Sequence, residues 1–161
     1  MNDNKVKAIT GVMVKQSLLN VLQKCQSEGI IVFCTKDFRC GYEECAEKQF
    51  FAPFYIEFRD GSAWIIYSTN SIRTDRMCIQ QWNAEHIKVL CPNVSKAWVI
   101  VPTEITENDK EYKEVLKYNE KIASGGIKSF VDLVVLQQDL EGLIKDYANN
   151  LILQLNEQMK F

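Results

Sequence analysis

Phe50-Phe51-Ala52-Pro53-Phe54-Tyr55-Ile56-Glu57-Phe58-Arg59, then Asp60-Gly61, then Ser62-Ala63-Trp64-Ile65-Ile66-Tyr67-Ser68-Thr69 is the stretch whose reading decides the fold. Both arms are rich in aromatic and β-branched residues, and Asp-Gly between them is a strong short-range hairpin signal. Glycine reaches positive φ at no steric cost, which a tight turn needs. The spacing predicts two antiparallel strands turning at Asp60-Gly61. A polar, basic turn follows, Asn70-Ser71-Ile72-Arg73-Thr74-Asp75-Arg76, and then a helical pattern from about Cys78 to Leu90. Cys91-Pro92-Asn93 ends that helix, because proline biases its predecessor toward extended geometry.

Upstream of the hairpin, Val14, Leu18, Leu19, Val21, Leu22 and Cys25 recur at three- and four-residue spacing, the mark of an amphipathic helix, and Gly29 caps it. Ile30 to Cys34 is a continuous apolar run and predicts a strand buried on both faces. Thr35 to Gln49 is polar, with a helical turn or two expected around Tyr42 to Lys48. Downstream, Lys96 to Pro102 reads as a strand. Glu107 to Ala123 reads as a helix burying Tyr112, Val115, Leu116, Tyr118 and Ile122, and Gly125-Gly126 breaks it. Apolar residues from Leu133 to Leu155 suggest one or two closing helices. The expected architecture is α/β: an αβββαβ core over residues 1–102 with a mixed central sheet, plus a C-terminal helical extension over 103–161 packed on it.

At 161 residues, 47% apolar and 25% charged, the chain has ordinary globular composition. No apolar run approaches membrane-spanning length and no leader pattern opens the chain, so a cytoplasmic protein without membrane contact is expected. Six cysteines are spread without a C-x-x-C pair, which favours free thiols in the core over a disulfide framework. Cys34, Cys40 and Cys45, with His86 or Cys25 as a fourth ligand, are spaced poorly for structural zinc. The formal charge of -2 argues against a protein that holds nucleic acid by bulk charge alone. A local basic face remains, with Arg59, Arg73, Arg76 and Lys88 against Asp60, Asp75 and Glu85, while acids concentrate between Glu104 and Glu120.

The order αβββαβ, with FFAPFYIEFRDGSAWIIYSTNSIRTDR followed by QQWNAEHIK, resembles the PD-(D/E)xK superfamily, the type II restriction endonuclease-like proteins, over residues 14–102. That resemblance implies hydrolysis of double-stranded DNA phosphodiesters with Mg²⁺, held by two acids while a lysine orients water. With the turn centred at Asp60-Gly61, Phe54 is expected opposite Tyr67, and Ala52 opposite Thr69. The family's slots for the second acid and the lysine then fall on Tyr67 and Thr69, and the slot for the first acid falls near Ala52 to Phe54. This departs from the family motif. Glu57 on the hairpin and Glu47 before it remain as catalytic and metal-ligating candidates, with Glu43, Glu44 and Lys88 as weaker substitutes.

For DNA, the resemblance points to Arg73 and Arg76, whose guanidinium forks suit phosphate oxygens and guanine edges. Asn70, Gln80, Gln81 and Lys88 join them, with the amides suited to adenine and the lysine to phosphate. A salt bridge with Asp75 is the plain alternative for the arginines, an exposed surface for the amides, and core packing for Trp82. His86 has no nucleophile beside it in sequence. Palindromic targets would imply a homodimer, for which the leucines and isoleucines of the final helices offer a face, or a second subunit. Two other functions compete. One is a catalytically inactive DNA- or partner-binding subunit of the same fold; the other is a small α/β protein-protein interaction module, motivated by the net negative charge.

Overall fold

The computed structural model describes residues 3–43, 49–69, 72, 74–101 and 109–159. Along the chain run α1 (Asp3–Ser27), β1 (Phe33–Gly41), β2 (Gln49–Glu57), β3 (Ala63–Ser68), α2 (Thr74–Leu90), β4 (Val94–Val101), α3 (Asp109–Ala123), β5 (Leu133–Leu136) and α4 (Leu140–Gln158). The strands form one mixed sheet in the order β1-β2-β3-β4-β5. β1, β2 and β3 are antiparallel neighbours, whereas β4 is parallel to β3 and β5 parallel to β4. The α/β class and the mixed sheet agree with the expectation. No described helix is long and apolar enough to cross a membrane.

Two apolar clusters, one on each face, explain the layers. Ala63, Ile65 and Tyr67 of β3 pack with Met77, Ala84 and Ile87 of α2 and Val115 of α3. Trp64 and Ile66, pointing the other way, pack with Leu18 and Leu22 of α1 and Leu140 and Ile144 of α4. Alternation along the strands therefore sends each neighbouring side chain to a different helical layer. Full burial of a leucine or isoleucine contributes about 1.5–3 kcal/mol, so α1 is held firmly by its Val14, Leu18 and Leu22 stripe. Gly29, at φ 75°, closes α1 through Ile30 N–H to Cys25 O at 2.9 Å and Gly29 N–H to Gln26 O at 3.0 Å.

Several expectations need correction. The hairpin register is one residue tighter: Phe54 pairs with Ile66, not Tyr67, and Glu57 pairs with Ala63. The cause is the turn. Phe58 N–H donates to Ser62 O at 2.9 Å across a loop of Arg59, Asp60 and Gly61, with Gly61 at φ 85°. Asp60 Oδ1 fixes that loop by accepting from Ser62 N–H at 3.0 Å and Ser62 Oγ at 2.6 Å. A three-residue loop replaces the expected two-residue turn.

β1 begins at Phe33 rather than Ile30 and is an edge strand, so Val32 and Phe33 are exposed and only Ile31 of the apolar run is fully buried. Alternation slips where β1 and β2 meet near Asp37 and Pro53: Phe50 and Ala52 lie on one face with Tyr55, and Phe54 and Ile56 on the other. Asp37 takes the uncommon φ of 55° at that point.

The segment 133–136, expected as helix, is the parallel strand β5. Its Val134 N–H and C=O are both satisfied by the Asn119 side chain of α3 at 2.8 Å, which covers the sheet edge. The C-terminal part thus adds a strand as well as helices, and supplies Val131, Val134, Leu140 and Ile144 to the two clusters. On α3, Val115 is buried as expected, but Tyr112 and Leu116 are exposed.

Candidate functional site

The sheet changes from antiparallel to parallel at β3, and the chain leaves its carboxyl end to begin α2. Because α1 and α2 cover opposite faces, a crevice opens between them beyond that strand end, the usual place for a site in an α/β sheet. Val14 and Lys15 of α1, Ser68 and Thr69, and Arg76, Ile79 and Gln80 of α2 line a cleft of about 290 Å³. Arg76, Ile79 and Gln80 share one helix face through three- and four-residue spacing. Val14 is anchored in the core and carries Lys15 to the cleft wall. Thr69 N–H donates to Ile100 O at 3.0 Å, which ties the strand end to β4.

The described lining holds two cations and no carboxylate. Arg76 makes no ion pair with any described residue. Gln80 Oε1 is buried without a hydrogen-bond partner among the described residues. An ammonium, a guanidinium, the Ser68 hydroxyl and the amide nitrogen of Gln80 make a donor set suited to phosphate oxygens. Mg²⁺ is a poor fit for it, since that ion takes oxygen ligands that include carboxylates. Among the described residues no group of three or more histidines, cysteines or acids is arranged to hold a metal.

The sequence-predicted residues divide three ways. Thr69, Arg76 and Gln80 meet in the cleft, and Lys15 and Ser68 join them unforeseen; only the topology brings α1 to this strand end. Arg76 sits inside α2, which starts at Thr74 rather than near Cys78. Glu47, Asn70 and Arg73, like Glu44 and Cys45, lie outside the described residues.

The remaining candidates sit elsewhere. Tyr67 points to the α2 face, 4% exposed, its hydroxyl without a hydrogen-bond partner among the described residues. Burial, and to a lesser degree Cys40, push that hydroxyl's pKa up. Glu57 pairs with Ala63 at the opposite end of β3, so at about 3.3 Å per residue it lies roughly 13 Å from Tyr67 and roughly 20 Å from Thr69 along the strands. One metal ion cannot bridge that span. Glu57 accepts instead from Tyr55 OH at 3.1 Å, and Asn93 Nδ2 donates to the same hydroxyl at 3.0 Å.

Gln81 is occupied inside the protein. Its Oε1 accepts from Phe130 N–H and Val131 N–H, and its Nε2 donates to Tyr118 OH and Ser129 Oγ. Lys88 pairs with Asp132 at 3.0 Å, and Asp132 also accepts from Ala97 N–H at 2.7 Å. Asn83 Oδ1 accepts from Phe51 N–H at 2.9 Å, beyond the end of the β2–β3 ladder. His86 stacks on Phe50 with centroids 4.3 Å apart and meets Tyr42 OH at 3.3 Å. Trp82, expected in the core, is 53% exposed beside Phe50, one turn along α2 from Ile79 in the cleft.

Among the described residues the thiols join no group arranged to hold a metal. Cys25, Cys34, Cys40, Cys78 and Cys91 are free, and Cys34 donates to Gln26 Oε1 at 3.1 Å. Burial, then the adjoining Cys91, pushes the Cys40 thiol up to about 12. Neither a family model, nor a curated protein, nor a solved structure matches this chain.

Proposed function

We propose that this chain is a restriction-endonuclease-like protein that binds double-stranded DNA through the cleft at the carboxyl end of β3, without hydrolysing it there. The observation that carries this function is the gathering of Lys15, Ser68, Thr69, Arg76 and Gln80 in one cleft whose described lining has no carboxylate. Arg76 and Lys15 neutralise phosphates and set the position of the duplex. Ser68 adds a neutral contact to the DNA backbone. Exposed Ile79 and Trp82 extend the contact surface along α2.

The core order, α1-β1-β2-β3-α2-β4, supports the resemblance to the PD-(D/E)xK proteins. That order also keeps a second function in play, Mg²⁺-dependent cleavage, for which Glu47, outside the described residues, is the candidate carboxylate just before β2. Against it stands the separation of Glu57 from Tyr67 and Thr69.

One experiment separates the two. The whole chain is incubated with mixed plasmid and linear duplex DNA, with Mg²⁺, Mn²⁺ or EDTA, and assayed for both shift and cleavage. A salt-sensitive shift without cleavage is expected, reduced by Arg76→Ala. Metal-dependent cleavage lost in Glu47→Gln would replace the binding function with the hydrolytic one. Neither a shift nor cleavage at low salt would remove both and leave a protein-interaction module.

A further inference from the structure

On the other flank of α2, a second cleft of about 420 Å³ opens against α3 and residues 127–128. Its size falls within the range of small-molecule pockets. Met77 is buried there, and Ile72 and Ile127 are half-buried, so part of the wall is apolar. Lys117, Lys121 and Lys128 also line it, all exposed, with Glu114 as the single acid among the described residues of the lining. None of the three lysines forms an ion pair with a described residue. The Lys128 ammonium stands 5.6 Å over the Phe130 ring.

Lys117 and Lys121 are four apart on α3, and Lys113 precedes them by four more; like charges at that spacing weaken a helix, an effect that Glu114 and Glu120 at opposite-charge spacings partly offset. The carbonyl end of α3 favours a cation in its last turn, which accounts for Lys121 alone. The chain then doubles back. Gly125 takes φ 74° and Gly126 N–H donates to Lys121 O at 2.9 Å, which returns Lys128 to the same cleft. Three lysines lining one cleft beside an apolar wall suit a ligand with several negative charges and a nonpolar body. An ammonium is a good point-charge partner for phosphate.

We propose that this cleft binds a small phosphorylated ligand with a flat apolar body, of the mononucleotide class. The phosphates meet Lys117, Lys121 and Lys128, and the body rests against Met77, Ile72 and Ile127. The site is separate from the β3 cleft, because α2 presents Met77, Cys78 and Gln81 here and Arg76, Ile79 and Gln80 there.

The test is calorimetric titration of the whole chain with ATP, adenosine, pyrophosphate and inorganic phosphate. ATP is expected to bind more tightly than pyrophosphate or adenosine. Lys117→Ala and Lys121→Ala should each weaken ATP about tenfold or more, the scale of a lost charge-assisted contact. Glu114→Gln should strengthen it, an effect no merely structural role of Glu114 would produce. Circular dichroism of each variant checks that it has folded. Three results would overturn the proposal: no ATP binding at millimolar concentration, lysine variants that bind ATP like the wild type, or pyrophosphate binding as tightly as ATP. Displacement of ATP by short duplex DNA would also overturn it, in favour of a nucleic-acid surface.

Discussion

Replacing Gln81 with alanine separates a residue that reads DNA from one that holds the protein together. Its Oε1 accepts from Val131 N–H at 3.1 Å and from Phe130 N–H, while its Nε2 reaches Tyr118 and Ser129. Val131 is fully buried, so its orphaned N–H pays the desolvation of an unpaired donor, about 1–3 kcal/mol. The other partners are half-buried and recover water in part, which brings the total to about 2–4 kcal/mol. In a chain of this size each kcal/mol moves the thermal midpoint by about 2–4 °C, so a fall of roughly 4–16 °C is expected. Circular dichroism melts, paired with urea titrations, measure it. Gln80→Ala is the control, because the Gln80 acceptor has no described partner, and it should change stability by less than about 0.5 kcal/mol. A Gln81→Ala protein that melts within about 1 °C of wild type but loses DNA binding would refute the structural role and restore the expected base contact.

Two further outcomes are expected. Hydrogen bonds from Lys24 and then Lys145 hold the Glu141 carboxyl below its ordinary value of 4.5. A folded-state value below the unfolded one stabilises the protein above the unfolded value and is lost as pH falls through the folded one. Glu141→Gln should therefore flatten the stability profile at and below pH 4.5 and leave its shape near neutrality alone; an unchanged acid limb would contradict it. Thiol labelling at pH 8 should modify exposed Cys78 quickly and spare Cys40, whose thiol is pushed up to about 12. Equal rates at the two sites would show that Cys40 is accessible and ionised.

The parts of the fold legible in the sequence were those with one dominant local signal. The stripe from Val14 to Cys25, closed by Gly29, reads as a helix because only a 3.6-residue period puts those side chains on one face. The hairpin was legible as an element but not in its register. Asp60-Gly61 announces a turn, yet whether Arg59 belongs to the loop depends on the Asp60 carboxylate capturing Ser62. A slip of one residue changes the expected partners of every strand position. Leu133 to Leu136 misled because four apolar residues have no distinctive period, and their strand state comes from the β4 ladder and from Asn119.

The candidate site divides along the same line. Arg76 and Gln80 were readable from residue type and from their place after a strand. Lys15 was not, because it is some fifty residues before β3's end and reaches the cleft only through the packing of α1. The amides of Gln80 and Gln81 are indistinguishable in sequence, and the turn of α2 alone sends one into the cleft and the other against residues 129–131. The lysine row at 113, 117 and 121 was visible, but it was masked by the acids around it.

The salt dependence of duplex DNA binding tests the central claim most directly. Affinity of the wild type and of a Lys15→Ala, Arg76→Ala pair is measured by fluorescence anisotropy across a range of salt concentrations. Each phosphate contact contributes close to one unit to the slope of log affinity against log salt, so the pair should lose about 2 units and bind more weakly at every concentration. A pair with the wild-type slope and affinity would contradict the assignment of the β3 cleft as the surface that meets DNA.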